Sequence, residues 1–239
     1  MRILEGTKVC KNFGGLAAVS QVDFHVEKGE ILGLIGPNGA GKTTLFNLIS
    51  GALATKLGKI HFGDKCLTDL KTYQITRAGV ARTFQNVRVF PDITVMGHIK
   101  LAELFGGGRR IEAANAETDA RELLNFVGLS GMENVLAKNL TLPRQKRLEV
   151  ARALATKPTV LLLDELMAGL NPAEVAEAME LVKKIRERGI TIIMIEHVMK
   201  AIMGICDRIV VLDHGEKIAE GTPAEIAANP KVIEVYLGE

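Results

Sequence analysis

The sequence predicts an α/β protein with a mostly parallel β-sheet and an inserted group of helices. Apolar runs of strand length alternate with helical patterns along most of the 239 residues, which favours parallel strands joined by helices. A glycine-rich turn at 36–44 joins one apolar run to a helix. Helical periodicity without a convincing strand fills 88–156, which indicates a helical subdomain inserted in a single domain spanning 1–239.

The first strands and the first helix follow in chain order. Val22, Phe24 and Val26 alternate with polar residues, which is the period of a half-buried strand. The run "EILGLIG" at 30–36 is apolar throughout and predicts a strand covered on both faces, and 42–50 has helical periodicity. Further strands are predicted at 58–63, 80–84, 159–165, 190–196 and 207–213.

Three helical patterns are predicted within the insert, near 94–105, 111–127 and 143–156. The run "GGG" at 106–108 is interpreted as a flexible joint between the first two. Closer to the end of the chain, Thr222 as N-cap, Pro223 in the first turn and Glu225 form the pattern of a capped helix start.

The overall charge is nearly balanced. Thirty basic and 28 acidic side chains give a net charge of +2, so the composition demands neither a nucleic acid nor a strongly anionic membrane as partner. The basic run at 144–147 is short and is interpreted as a solvated helix face. We therefore expect no nucleic-acid partner.

Cysteine usage and apolar run length bear on the compartment. Cys10, Cys66 and Cys206 are widely spaced and form no Cys-x-x-Cys pair, which is typical of reduced thiols in a cytosolic protein. The N-terminus lacks a long apolar segment, and the longest apolar runs, at 160–163 and 192–195, have the length of core strands. We expect a chain that is neither secreted nor membrane-spanning by itself.

The turn "GPNGAGKTT" at 36–44 matches the phosphate-binding pattern G-x-x-x-x-G-K-[ST] between a strand and a helix. Its glycines allow backbone N–H groups to turn toward phosphate oxygens, and the helix N-terminus adds donors and a favourable dipole. Lys42 can reach the β- and γ-phosphates of ATP, and the Thr43 hydroxyl can bind Mg²⁺. The predicted nucleotide-binding residues are Gly36, Pro37, Asn38, Gly39, Ala40, Gly41, Lys42, Thr43 and Thr44.

An acidic pair ends the apolar run "TVLLLDE" at 159–165. Asp164 is predicted to hold Mg²⁺ through its water shell, and Glu165 to activate the water that attacks the γ-phosphate. Acidic residues also end strands for purely structural reasons. Together with the phosphate loop, the pair favours the catalytic interpretation.

With these motifs in order, the sequence resembles the ATP-binding cassette (ABC) ATPases over nearly its whole length. The resemblance implies that Phe13 in "KNFGG" stacks on adenine, that Gln85 in "TFQN" links the γ-phosphate and Mg²⁺ to the helical insert, and that His197 in "MIEHVM" contacts the γ-phosphate. Each residue alone has an ordinary structural interpretation. Their order around the two strong motifs carries the assignment.

The family's signature segment, L-S-G-G-Q, starts a helix aimed at the nucleotide of the opposite subunit; here it reads "LTLPR". Thr141 keeps the hydroxyl, while Leu142, Pro143 and Arg144 replace the glycines and the glutamine. Proline has no N–H, so one donor to the opposite γ-phosphate is missing, although Arg144 can restore some attraction. Thr141 as N-cap with Pro143 in the first turn is also a plain helix start. We expect an altered half-site that need not be inactive.

Two further departures from the family follow the acidic pair. Leu166 replaces a proline, and Asn171 replaces the usual aspartate of the loop between the two nucleotide sites. Asn171, followed by Pro172 and Glu174, also has the pattern of a helix cap. The two roles are compatible, because a capping residue can also touch a neighbouring subunit.

Within the family, the segments at 82–99, 167–174, 195–221 and 221–239 are similar to the ATPase subunits of branched-chain amino-acid importers. This similarity implies ATP hydrolysis that drives import when two subunits close on two ATP molecules. The implied partners are a second ABC ATPase subunit, with a heterodimer favoured, integral membrane permease subunits and, indirectly, a solute-binding protein. The implied location is the cytoplasmic face of the inner membrane.

A groove for a helix of the permease is expected next to Gln85. The predicted lining residues are Val89, Phe90, Ile93, Val95 and Met96, and the alternative for each is the ordinary core of the helical insert.

Two other functions are weighed against import. A soluble ABC ATPase that acts on nucleic acid or ribosomes usually carries two cassettes or a long coiled coil, whereas this chain has one phosphate loop and no heptad run. An ATP-sensing module with little turnover of its own is suggested by "LTLPR", but the intact Glu165 and His197 argue against it. The transported solute does not touch this subunit and is not specified by its residues.

Overall fold

The computed structural model describes residues 1–55, 57–106 and 113–237. Its strands are β1 Arg2–Phe13, β2 Leu16–Glu27, β3 Ile31–Ile35, β4 Leu57–Phe62, β5 Lys65–Cys66, β6 Val80–Arg82, β7 Val160–Asp164, β8 Thr191–Ile195, β9 Arg208–Asp213 and β10 Glu216–Gly221. Its helices are α1 Lys42–Ile49, α2 Thr72–Ala78, α3 Val95–Phe105, α4 Ala113–Phe126, α5 Leu142–Ala155, α6 Pro172–Glu187, α7 Met199–Ile205, α8 Pro223–Ala227 and α9 Pro230–Leu237.

The main sheet has the strand order β10-β9-β3-β8-β7-β6. Strands β9, β3, β8, β7 and β6 are parallel, and β10 pairs antiparallel with β9. The predicted fold class, α/β with a mostly parallel sheet, is confirmed. Because the parallel strands share one direction, their carboxyl ends lie along a single edge, and the loops that carry the predicted site leave from that edge.

A second, antiparallel sheet has the order β2-β1-β4-β5. Strands β2 and β4 contain segments predicted as strands, but β1 was not predicted. Its pairing with β2 shifts register between Gly6 and Val9, and both Lys8 and Gln21 adopt positive φ. Such bulges break the period-2 alternation by which a strand is detected in the sequence.

The parallel sheet is buried on both faces, as the run at 30–36 predicted. Along β3, Ile31 and Ile35 join a core cluster that includes the helices α5, α6 and α7, whereas Leu32 and Leu34 join a second cluster shared with α1 and the antiparallel sheet. Packing on both faces holds the end of β3 firmly, which fixes the start of the glycine-rich turn.

Helices α3, α4 and α5 match the three predicted helical patterns and share one apolar cluster. Gly106 ends α3 as its C-cap, and the rest of the predicted joint, 107–108, lies outside the described residues. The subdomain limits at 88 and 156 stay a prediction. The capping box of Thr222 and Glu225 at α8 is confirmed. None of the described helices is long and apolar enough to cross a membrane.

Candidate functional site

Loops from the ends of β3, β6, β7 and β8 meet at a pocket of about 220 Å³. Most of the residues predicted from the motifs line it, together with the start of β2. The lining residues are Ala18, Asn38, Gly39, Ala40, Gly41, Lys42, Thr43, Thr44, Gln85, Glu165 and His197. The sheet therefore brings together side chains that lie far apart in the sequence.

The turn after β3 requires glycine at two close approaches. Gly36 has φ +146°, and a Cβ there would lie 2.0 Å from the carbonyl oxygen of Leu212. Gly41 has φ +99°, and a Cβ there would lie 2.3 Å from the carbonyl oxygen of Ala18. Gly41 is also the N-cap of α1 and has no side chain to occupy the first-turn amides. These amides and the helix dipole suit an anion in the pocket.

Lys42 lies in the first turn of α1 and is only 6% exposed. Its Nζ donates to the carbonyl oxygens of Gly36, at 2.7 Å, and Pro37, at 2.8 Å. Burial lowers the pKa of Lys42, while the carboxylates of Glu165 and Asp164 act in the opposite direction. The buried ammonium is thus held by the loop itself at the floor of the pocket.

Glu165 follows β7 with φ +50°, a left-handed backbone that is uncommon outside glycine. Its backbone N–H donates to the carbonyl oxygen of Ile195 at 2.9 Å. Gln85 Nε2 donates to Glu165 Oε2 at 2.9 Å, and His197 Nε2 lies 3.0 Å from Glu165 Oε1. The side chain of Glu165 is 12% exposed and that of His197 is 48% exposed. The three predicted catalytic side chains therefore form one hydrogen-bonded group.

Asp164 ends β7 with its side chain 1% exposed. Its Oδ2 accepts from Arg82 Nη2 at 2.7 Å, whereas its buried Oδ1 has no partner among the described residues. Burial raises the pKa of Asp164, and the Arg82 guanidinium opposes that rise. An unpartnered buried carboxylate oxygen is suited to a metal ion or to water bound to one.

Arg82 was not predicted as a site residue. It lies between the rings of Phe46 and Phe84, with its guanidinium carbon 5.6 Å and 5.4 Å from the two centroids. Arg82 pairs with Leu162 across the parallel strands β6 and β7, which brings its side chain within reach of Asp164. The signal available in the sequence was a basic residue inside the predicted strand 80–84, but its contact with Asp164 depends on the strand order, which the sequence did not give.

The start of α5 lies apart from the pocket. Thr141 is the N-cap, as predicted, but its side chain makes no capping hydrogen bond, and Pro143 lies in the first turn. Leu142 is 45% exposed, and Arg144 is also exposed. The helix start therefore presents its predicted residues outward, away from the pocket of its own chain.

Lys146, on the second turn of α5, is only 6% exposed, so the interpretation of 144–147 as a solvated helix face was wrong for this residue. Its Nζ donates to the carbonyl oxygens of Glu165, Leu166 and Ala168, at 3.0, 2.9 and 2.7 Å. Nearby, Glu196 accepts from the backbone N–H of Met167, and burial raises its pKa to about 7. A buried polar link thus joins α5 to the segment that follows the acidic pair.

Besides the start of α5, the pocket lining lacks five predicted residues: Phe13, Gly36, Pro37, Asp164 and Asn171. Phe13 is 48% exposed at the turn between β1 and β2, with Lys11 Nζ 5.5 Å from its ring centroid. Asn171 caps α6 by accepting from the backbone N–H groups of Ala173 and Glu174. The predicted helix cap is confirmed, and the roles of Phe13 at adenine and of Asn171 between two sites stay predictions.

An apolar cleft of about 360 Å³ opens beside the Arg82 end of the sheet. Phe90, which is 49% exposed, lines it together with Phe105 and Leu101. Val95 and Met96 are 0% and 8% exposed and belong to the main core. The expectation that these two line a groove was wrong, because α3 turns them inward, and the alternative core interpretation holds for both.

Two family models match parts of this chain, and a related protein matches nearly all of it. A family model described as "ABC transporter" matches residues 19–168, and one described as "Branched-chain amino acid ATP-binding cassette transporter" matches residues 216–239. The chain is 44% identical over 240 residues to the high-affinity branched-chain amino acid transport ATP-binding protein LivG of Escherichia coli (strain K12), with 95% of this chain and 94% of that protein covered.

Solved structures of ABC transporter cassettes are also similar to this chain. The ADP conformation of MJ1267, an ATP-binding cassette of an ABC transporter, has a TM-score of 0.89 at 30% identity and covers 100% of both chains. The dimeric structure of MJ0796, a bacterial ABC transporter cassette, has a TM-score of 0.83 at 25% identity and covers 92% of this chain and 98% of that one. The similarity therefore extends over the complete fold.

Proposed function

The chain belongs to the ABC transporter family, and on that premise we propose that it is the ATP-hydrolysing subunit of an importer for branched-chain amino acids. The observation that carries this proposal is the 44% identity to LivG over 95% of the chain. The match of the C-terminal segment at 216–239 to a branched-chain amino-acid transporter model supports the solute class independently of the phosphate loop.

The residues of the pocket suit ATP hydrolysis. In our proposal, the loop amides hold the phosphates, and Lys42 exchanges its carbonyl partners for β- and γ-phosphate oxygens. Thr43, Gln85 and Asp164, with its unpartnered Oδ1, would hold Mg²⁺. Bound there, Mg²⁺ offsets phosphate charge and helps to orient the phosphates.

Glu165 is proposed as the general base that accepts a proton from the attacking water. Gln85 and His197 contact one carboxylate oxygen each, which fixes the orientation of the base. His197 is also proposed to contact the γ-phosphate, because its side chain is 48% exposed at the pocket.

The second half of each site is proposed to come from another subunit. Two subunits arranged head to tail would place Thr141, Leu142, Pro143 and Arg144 against the partner's nucleotide, with Asn171 between the sites. The exposed start of α5 and the similarity to a dimeric cassette support this arrangement. A heterodimer is favoured, because a sibling with a glycine-rich signature would complete the site of this chain.

Membrane subunits are proposed to dock at the apolar cleft that Phe90 lines. Its apolar walls and open mouth suit a short helix of a permease, and movement of the two subunits would be transmitted there. The chain would then work at the cytoplasmic face of the membrane, with a solute-binding protein as an indirect partner. Phe13 is proposed to stack on adenine.

The test is ATPase activity as a function of assembly. Because a complete site needs α5 of another chain, the isolated protein should hydrolyse ATP poorly, with activity that rises steeply with concentration or on addition of a sibling and the permease. Full, concentration-independent activity in a demonstrated monomer would contradict the shared site. Uptake of labelled leucine, with urea as control, by vesicles that hold the assembled complex would test the solute class.

A further inference from the structure

The C-terminal helix α9 makes direct contact with the phosphate loop. The Tyr236 hydroxyl oxygen accepts a hydrogen bond from the backbone N–H of Gly36 at 2.8 Å, across 200 residues of sequence. Gly36 opens the phosphate-binding turn. This contact therefore joins the last described helix to the first residue of the nucleotide-binding motif.

Helix α9 is anchored by packing, although Tyr236 itself is 43% exposed. Val232, four residues earlier on α9, is 6% exposed and belongs to the main core, as does Ile226 of α8 at 1% exposed. Residues four apart lie on the same side of a helix, so Val232 anchors the side from which Tyr236 projects. Partial burial raises the pKa of the Tyr236 hydroxyl, and the hydrogen bond from Gly36 acts in the opposite direction.

Gly36 is held on both sides of its Cα atom. Its N–H donates to Tyr236, and its carbonyl oxygen accepts from Lys42 Nζ at 2.7 Å. A Cβ at this residue would lie 2.0 Å from the carbonyl oxygen of Leu212, so the backbone also has little room to move on that side. The peptide before the Cα atom of Gly36 is thus held by Tyr236, and the peptide after it by Lys42, a residue proposed to bind phosphate.

We propose that Tyr236 is a positioning residue that orders the phosphate loop for nucleotide, so that α9 helps to set nucleotide affinity. The inference rests on the proposed nucleotide site. Removal of one neutral hydrogen bond corresponds to about a two- to tenfold change in affinity. ADP and ATP should be affected equally, because Gly36 lies at the entry of the loop and Glu165, the proposed base, belongs to a separate group of contacts.

The test is Tyr236→Phe in the full chain, which keeps the ring and removes the hydroxyl. We expect the Kd for Mg-ADP and for Mg-ATP to rise about two- to tenfold, and amide hydrogen exchange in the peptide that contains Gly36 to become faster. In the assembled transporter, KM for ATP should rise while kcat stays unchanged. Tyr73→Phe is the matched control, because Tyr73 is the other of the two tyrosines and is 54% exposed on α2.

The outcomes separate the inference from the proposed function. Unchanged Kd values and unchanged exchange at Gly36 in Tyr236→Phe, with normal binding by wild type and Tyr73→Phe, would overturn the inference alone. Faster exchange throughout the chain, including β7, would replace it with a general structural role for Tyr236. Absence of Mg-ADP binding by the wild-type chain would overturn the nucleotide site and the inference with it.

Discussion

The phosphate loop and the start of α5 are both expected to touch nucleotide, but the chain builds them in different ways. At the loop, Lys42 is 6% exposed and bonded to carbonyl oxygens, and both carboxylate oxygens of Glu165 have partners. At the start of α5, Thr141 makes no capping bond and Leu142 is 45% exposed.

The difference indicates which half of a shared site depends on the partner. The groups of the loop side are already placed in this chain alone, so that Lys42 has only to exchange carbonyl for phosphate partners, whereas the exposed groups of α5 would acquire their geometry on contact. The loop also keeps its motif intact, while the segment "LTLPR" departs from the family pattern. The loop therefore has its contacts within this chain, and the start of α5 depends on a partner for its own.

The largest expected effect comes from the loop side. Glu165→Gln should leave ATP binding intact and slow hydrolysis roughly 10²- to 10⁴-fold, because it removes the proposed base while keeping a side chain of the same size. Turnover and ATP binding by the assembled transporter measure this. Glu187→Gln, at an exposed carboxylate of α6, is the matched control. Near-normal turnover in Glu165→Gln would remove Glu165 from that role.

The second expected effect concerns the start of α5. In a heterodimer with a sibling that keeps the glycine-rich signature, the sibling's nucleotide would face "LTLPR", which lacks the backbone donor at Pro143. A lost hydrogen bond to a charged phosphate is worth roughly 1.5 to 3 kcal/mol, or about ten- to a hundredfold. Lys42→Ala in this chain should therefore abolish most hydrolysis, and the equivalent change in the sibling should leave a measurable fraction.

Replacing Leu142 and Pro143 with glycine should reduce the difference in ATPase activity between the two lysine variants. Steady-state ATPase rates measure this difference. Equal loss of activity in the two lysine variants, with no effect of the glycine changes, would contradict the expected difference between the two nucleotide sites. Pro143 would then be a neutral way to start the same helix, and the two regions would differ in structure without differing in function.

A separate effect, on stability and not on turnover, is expected at the buried link that joins α5 to the segment after the acidic pair. The folded pKa of Glu196, about 7, exceeds its ordinary value of 4.5, because burial disfavours the carboxylate. The protonated Glu196 carboxyl therefore contributes to the stability of the fold. This contribution is complete below about pH 4.5 and is lost as pH rises through about 7. The free energy of unfolding should fall by roughly 3 kcal/mol over this range, since the pKa rises from 4.5 to about 7 and one pKa unit corresponds to about 1.4 kcal/mol.

Urea unfolding at pH 5 and pH 8 measures this change. Glu196→Gln keeps an acceptor for the N–H of Met167 and should show a smaller loss of stability with pH. Glu122→Gln, at an exposed carboxylate of α4, should behave as wild type. Equal pH dependence in wild type and Glu196→Gln would exclude Glu196 as the titrating group.

The sequence predicted the local parts of the fold and the site. The strand, turn and helix around 36–44 follow from composition and spacing over a few residues, and so do Asp164 and Glu165 at the end of β7. Gln85 and His197 came from family resemblance, and the structure places both beside Glu165. Strand β1 was missed because its bulges hide the alternation that reveals a strand.

The contacts that were not predicted join residues distant in sequence. Arg82 meets Asp164 across 82 residues, and Tyr236 meets Gly36 across 200. Lys146 donates to carbonyl oxygens up to 22 residues away in the sequence. Every residue has a backbone carbonyl, so the residue types do not indicate which one accepts. Such pairs depend on strand order and helix packing, which periodicity does not specify.

The left-handed backbone of Glu165 has a consequence for how stability and activity are balanced. A non-glycine residue in that conformation costs of order 1 to 3 kcal/mol and persists only where its surroundings enforce it. The residue proposed to perform the chemistry therefore carries a backbone cost that glycine would avoid. Glycine would relieve that cost but would remove the contacts to Gln85 and His197 and the proposed base, so backbone strain and turnover make opposite demands on this position.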